Sequence, residues 1–278
     1  MKFIPTSLIG SLQIVAALGI FSQTTLSAET VVVKEDFANA VQNEDSNAID
    51  SAISWNAFCS RGGKIPWVKE AVESASSGKA LEFSGQSQNA LLVGAFPPVE
   101  LKKAGDSIAL TVSYRYLHQP TNPAPGFVIG LLNSNGMPLN AGKIDFPFRQ
   151  APEVGVDHQG YRVGKNPNTD VEDIVLDKTV GASSGFPYQE LARVNSGVVL
   201  TDRKPHVLKL KITRQPDNTL ALAYEFDGTE FTFAADSSSV VTPDFDSIFI
   251  QPLARDFGES NGNNYIQLLD VTVTHNES

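Results

Sequence analysis

The chain has 278 residues, 41% hydrophobic and 19% charged, with one cysteine and a formal net charge of −10. That length and apolar content suffice to bury a core, which excludes intrinsic disorder. One Cys excludes an internal disulfide framework and a multi-cysteine zinc site, and the acidic balance excludes a general nucleic-acid binder.

Residues 1–28 open with Lys2, carry an apolar run from Leu8 to Phe21, and end in small and polar residues at Ala28. This pattern predicts a secretory signal peptide cut after Ala28. The run falls short of the roughly 20 residues that span a bilayer. Removing 28 of the 278 residues leaves 250, and because only Lys2 is charged among them the formal charge moves from −10 to −11. The expected product is a secreted or periplasmic protein, free of the membrane once the signal is removed, with one domain over 29–278. Cys59 then stands as an unpaired thiol in an oxidising compartment, and its plain reading is a small buried hydrophobe.

After the leader, VVVKEDF at 31–37 reads as a first strand. Residues 38–53 and 69–76 are rich in Ala, Glu and Ser and predict short helical turns. In SIALTVSYRY at 107–116, Ile108, Leu110, Val112, Tyr114 and Tyr116 share one face, the period of a half-buried strand. GFVIGLLN at 126–133 is a further strand, closed by Asn135-Gly136. Two stretches, 134–160 and 164–196, carry Pro, Gly and Asn and read as long loops of the kind that line sites. Residues 206–234 read as a three-strand meander with turns at Gln215-Pro216-Asp217-Asn218 and Asp227-Gly228. NYIQLLDVTVT at 264–274 is the last strand, a suitable partner for the first. One-face alternation throughout predicts an all-β, antiparallel β-sandwich. Lys209, Lys211 and Arg214 form a small basic stripe, read as a solvated face.

Several of these segments together resemble a known superfamily. VVVKEDFA with Trp55 and Trp67, the core run HVLKLKITRQPDNTLALAYEFDGTEF, and the closing FDSIFIQPLARDFGESNGNNYIQLLDVTVT are similar to the concanavalin A-like lectin/glucanase (LamG-like) jelly rolls. The resemblance implies a jelly-roll sandwich and a glycan-related role, with a poly- or oligosaccharide as partner and no nucleic acid. It also implies calcium near the termini, for which Asp36 and Asp270 are the candidate ligands if the end strands pair; Asp256, Glu259 and Asn261 form a second oxygen-rich loop.

The glucanase branch of that superfamily carries Glu-x-Asp-x-x-Glu on one strand, and this chain lacks it. Its nearest acidic cluster, Glu172 to Asp177, reads as a solvated loop. A second chemistry, polysaccharide β-elimination, needs a base and donors that stabilise an anion. Asp157-His158-Gln159-Gly160-Tyr161-Arg162 holds those side chains, with His118-Gln119 as possible neighbours from an adjacent strand. Carbohydrate binding needs only aromatic faces and polar groups, and the candidates are His158, Tyr161, Arg162 and Tyr188. The expected function is an exported carbohydrate-binding or glycan-accessory sandwich; a polysaccharide lyase and a surface-assembly protein are the alternatives.

Overall fold

The computed structural model describes residues 29–43, 48–58, 67–70, 78–83, 91–117, 126–136, 158–165, 173–180, 188–195, 204–233, 236, 242–253 and 266–278. Residues 1–28, Cys59, His118, Asp157 and residues 256–261 lie outside them. The described residues form strands and turns and contain no helix.

The strands build two antiparallel sheets. The first runs β15 (Thr229–Thr232), β14 (Leu220–Phe226), β13 (His206–Arg214), β8 (Ser107–Tyr116), β17 (Ile266–Asn276), β6 (Lys79–Phe83), β5 (Trp67–Glu70), with β1 (Glu29–Glu35) also on β17. The second runs β12 (Tyr188–Asn195), β11 (Asp173–Val180), β10 (Gln159–Lys165), β9 (Gly126–Asn133), β16 (Asp244–Leu253), β7 (Leu91–Glu100), β4 (Ser54–Phe58), β3 (Ala48–Asp50), β2 (Val41–Asn43). This is the all-β jelly-roll sandwich expected from the sequence.

The alternation in β8 explains its central place. Ile108, Leu110, Val112, Tyr114 and Tyr116 are all within 1% of full burial. Leu210 and Val273 sit either side of Leu110, and Leu208 and Val271 either side of Val112. Burying each such aliphatic side chain contributes roughly 1.5–3 kcal/mol. Between the sheets Tyr114 stacks on Phe127 of β9 at 4.5 Å and 9°.

The expected meander and end pairing are both present. β13, β14 and β15 follow one another, and Asp227 and Gly228 take φ of 48° and 83°, the left-handed pair of a type I′ hairpin. β1 pairs with β17 from Glu29 opposite Asn276 to Glu35 opposite Val271.

Two expectations are corrected. The described residues of 38–53 form no helical turn: the chain bends at Phe37 (φ 59°) and makes the short strands β2 and β3, with 44–47 outside the described residues. The buried Glu35 carboxylate directs this bend. It accepts the Phe37 N–H (2.6 Å), the Ile53 N–H (3.2 Å), the Trp55 indole N–H (3.4 Å) and the Ser51 hydroxyl. Those local bonds outweigh helical propensity. Trp55 then lies flat over Gly94, where an added Cβ would meet its ring at 2.5 Å. In the 69–76 stretch, residues 69–70 belong to β5 and the rest lies outside the described residues.

The long loops also contain structure. β11 and β12 form within the second and β10 spans the gap between the two, Tyr161, Val163, Ile174 and Leu176 facing the core. The acidic cluster is therefore not a solvated loop from Asp173 onward. Asp173 binds Arg193 at 3.0 Å and Asp177 binds Arg162 at 2.8 Å.

Lys178 of β11 points inward, 2% exposed, and pairs with the equally hidden Asp236 at 3.3 Å. The Tyr161 hydroxyl donates to the same carboxylate at 3.1 Å. Asp236 bridges to Leu220 of β14, so this cluster ties the two sheets together. Removing one partner of a buried pair leaves the other charge uncompensated, at about 3–5 kcal/mol. Lys178→Met is expected to destabilise by that amount in urea unfolding, and Lys178→Met/Asp236→Asn to recover most of it.

Candidate functional site

The residues singled out by side-chain chemistry do not converge. Tyr161 is fully buried between the sheets. Arg162, the next residue on β10, faces the other way, as strand alternation requires. Its Nε and Nη2 both donate to Asp177, at 3.0 and 2.8 Å. His158 precedes β10, is 4% exposed, and its carbonyl accepts the Thr179 hydroxyl at 2.9 Å. Tyr188 opens β12 opposite Thr179. Tyr161 thus belongs to the core, and the described part of 158–162 presents no joint base and anion-binding set.

The β1–β17 register places Asp36 and Asp270 one step beyond the Glu35–Val271 pair. Asp36 accepts the Ala38 N–H at 3.0 Å. Among the described residues no group of three or more His, Cys, Asp or Glu is placed to hold a metal.

What the fold does gather is a polar cleft of about 590 Å³ at one end of the sandwich, between the sheets. Glu100 at the end of β7, Asp244 and Asp246 on β16, Asp106 before β8, His275 near the end of β17 and Glu277 just past it line the cleft, with Lys102 and Lys103. Asp244 lies directly opposite Glu100 in the β16–β7 ladder. Like charges so placed repel. Asp246 is fixed by the Ser134 N–H (2.7 Å), the Ser134 hydroxyl (2.6 Å) and the Ser247 hydroxyl (2.7 Å). The Asn135-Gly136 turn, with φ of 54° and 73°, brings Ser134 to that carboxylate.

The cleft carboxyls are pushed in opposite directions. Burial raises the Asp244 carboxyl above its ordinary value; Glu100 and Asp246 add to the rise and Arg214 opposes it. Burial also pushes Asp106 up, but hydrogen bonds from Ser278, Lys103 and Lys102 outweigh it and hold the carboxyl at about 2. Those bonds are the N–H groups of Lys102 and Lys103 at 2.8 Å each, and the Ser278 N–H and hydroxyl at 3.0 Å each. Opposed shifts of this kind mark a cleft whose charges are set by its surroundings.

Sequence reading missed this cleft because its residues come from four segments far apart in the chain, around 98–106, 133, 244–246 and 275–277. The basic stripe is also revised. Lys209 and Lys211 share the outer face of β13, whereas Arg214 turns away to the Leu101 carbonyl (2.5 Å) and the Asn218 side chain (2.9 Å).

No protein-family model matches the sequence, and neither does the sequence of any curated protein. Solved structures similar to this chain include a carbohydrate esterase of the Shiga toxin-encoding bacteriophage phi24B, at 12% identity and TM-score 0.46, covering 90% of this chain and 100% of that one. The carbohydrate recognition domain of Emp47p aligns at 11% identity and TM-score 0.48, over 88% and 96% of the two chains. The lectin UEA-II, solved with galactose, aligns at 14% identity and TM-score 0.42, over 89% and 100%. These similarities transfer no residue roles.

The Asp106 shift has a consequence for acid stability. Lowered from 3.8 to about 2, this carboxyl adds stability that is complete above about pH 4 and is lost between about pH 4 and pH 2. The gain is about 2 kcal/mol. In pH-resolved urea melts Asp106→Ala is expected to unfold earlier than wild type at pH 7, with the gap closing by pH 2.

Proposed function

We propose that this chain is an exported carbohydrate-binding sandwich whose ligand enters the acidic cleft. The observation that carries this reading is the facing pair Glu100 and Asp244 with Asp246 beside them, all lining an open polar cleft of about 590 Å³. That volume lies within the range of small-ligand sites. Carboxylates accept hydrogen bonds from sugar hydroxyls, and charge-assisted bonds of this type are the stronger ones. Lys102 and Lys103 supply donors at the rim. Phe245 lines the cleft but is fully buried, so it offers no stacking face. Recognition here rests on hydrogen bonding, which suits one or two sugar units held weakly. Export rests on the leader at 1–28.

A thermal-shift screen over neutral and acidic glycans tests this. At about ten times Kd a ligand of the folded state adds about 1.4 kcal/mol, or about 3–5 °C in Tm for a chain of this size. Glu100→Gln/Asp244→Asn is expected to abolish the shift while its own Tm stays level or rises, because a like-charge pair is gone. No shift with any glycan overturns the reading. A shift that survives the double substitution overturns the cleft as its location.

A further inference from the structure

The end of β17 serves two faces at once. His275 and Glu277 line the acidic cleft, while Thr274 and Asn276, alternating with them, face the opposite side of the sheet. There they border a trough of about 210 Å³ with Ser107 and Ala109 of β8, Lys209 and Lys211 of β13, and Glu29. The trough follows from the register. Ala109 sits between Lys211 and Thr274, and Ser107 between Thr213 and Asn276. Small residues on the central strand, flanked by longer ones, leave a channel along β8.

Two features point to a ligand. Lys209 and Lys211 make no ion pair with any described residue, in a chain of net charge −10. The Ser107 hydroxyl also lines the trough, is open to solvent there, and has no hydrogen bond from a described residue. It can both donate to and accept from a ligand lying in the trough. Two residues apart on one strand face, the ammonium groups repeat at about 7 Å. Thr274 lies level with Lys211 across Ala109, its hydroxyl donating to Glu29 at 2.6 Å, and Ser107 and Asn276 continue the floor one step beyond.

We propose that this trough binds an acidic polysaccharide, its carboxylates or sulfates on Lys209 and Lys211 and its ring hydroxyls on Ser107, Thr274 and Asn276. Two lysines on an otherwise acidic surface suit a polymer of sparse charge rather than the dense phosphates of a nucleic acid. The assignment rests on the carbohydrate reading and adds to it the charge class of the glycan and a second face.

Calorimetric titration of the full chain with polygalacturonate, a sulfated galactan, a neutral glucan and polyglutamate tests it. The two acidic glycans are expected to bind, more weakly as salt rises from about 50 to about 500 mM. Lys209→Gln/Lys211→Gln, both partly or fully exposed, is expected to weaken them about tenfold or more without changing Tm. Ser107→Ala is expected to weaken them less. Acidic-glycan binding that ignores the lysine variant overturns the trough and leaves the carbohydrate reading standing. Polyglutamate binding as tightly as the acidic glycans through the same lysines overturns the glycan assignment in favour of an acidic peptide. Binding to none of the polymers, in a chain that also gives no thermal shift with small glycans, overturns both.

Discussion

The placement of β17 between β8 and β1 is the constraint on which the rest of the structure depends. β17 pairs with β8 from Ile266 opposite Tyr116 to Asn276 opposite Ser107, and its first half takes β6 where its second half takes β1. A register shift at Leu268–Asp270 resets the pairing between these halves. A slip by one residue would turn Val271 and Val273 out of the core and bring Thr272 and Thr274 into it. The same alternation carries past the strand end. Ser278 is held on Asp106, and the residues between are divided between an acidic cleft and a basic trough. Stability and both recognition faces thus follow from one register.

How far the sequence reveals this fold depends on how apolar each strand's inward face is. β8, β13 and β14 place Ile, Leu, Val and Tyr at every second position, so their strands and faces are plain. The Asp-Gly hairpin and the pairing of the end strands follow from turn chemistry and edge closure. β10 and β11 are hidden because they break the pattern. β10 has glycine at 160 and 164, and β11 buries Lys178 where an apolar residue is expected. A period-two count sees two apolar positions in β10, too few to show which face is inward. The distant Asp236, joined to Lys178 and Tyr161, compensates that inward lysine. The bend at Phe37 is hidden for a related reason. Its cause is a side-chain carboxylate collecting donors from up to 20 positions away.

The functional residues were less legible than the fold, and in a systematic way. His158, Tyr161 and Arg162 attract notice because three chemically able side chains lie close in sequence. Adjacency along a strand separates side chains rather than joining them, and Tyr161 goes to the core while Arg162 pairs with Asp177. The cleft has the reverse character. Glu100, Asp106, Asp244, Asp246, His275 and Glu277 are unremarkable one by one, and antiparallel pairing brings them together. Lys209 and Lys211 were visible as a stripe, but the channel beside them depends on Ser107 and Ala109 standing opposite in the neighbouring strand.

The two ends of this ledger of charge differ in kind. The buried Lys178–Asp236 pair is compensated, with a tyrosine hydroxyl completing the carboxylate's bonds; it joins sheet to sheet and offers nothing to solvent. Glu100 and Asp244 face each other across a ladder, and burial together with its acidic neighbours disfavours the charged form of Asp244. A sequence shaped for stability alone would place an opposite charge or a β-branched residue at one of those positions. The repulsion is lowered when a ligand's hydroxyls donate into the cleft and spread the negative charge. The trough presents the complementary case, with two ammonium groups that make no ion pair with any described residue. At the end of the sandwich that β17 builds, the repelling Glu100–Asp244 pair and the unpaired Lys209 and Lys211 therefore stand beside carboxylates, Asp106 and Asp246, that are fully hydrogen-bonded. That contrast separates groups set for recognition from groups set for folding.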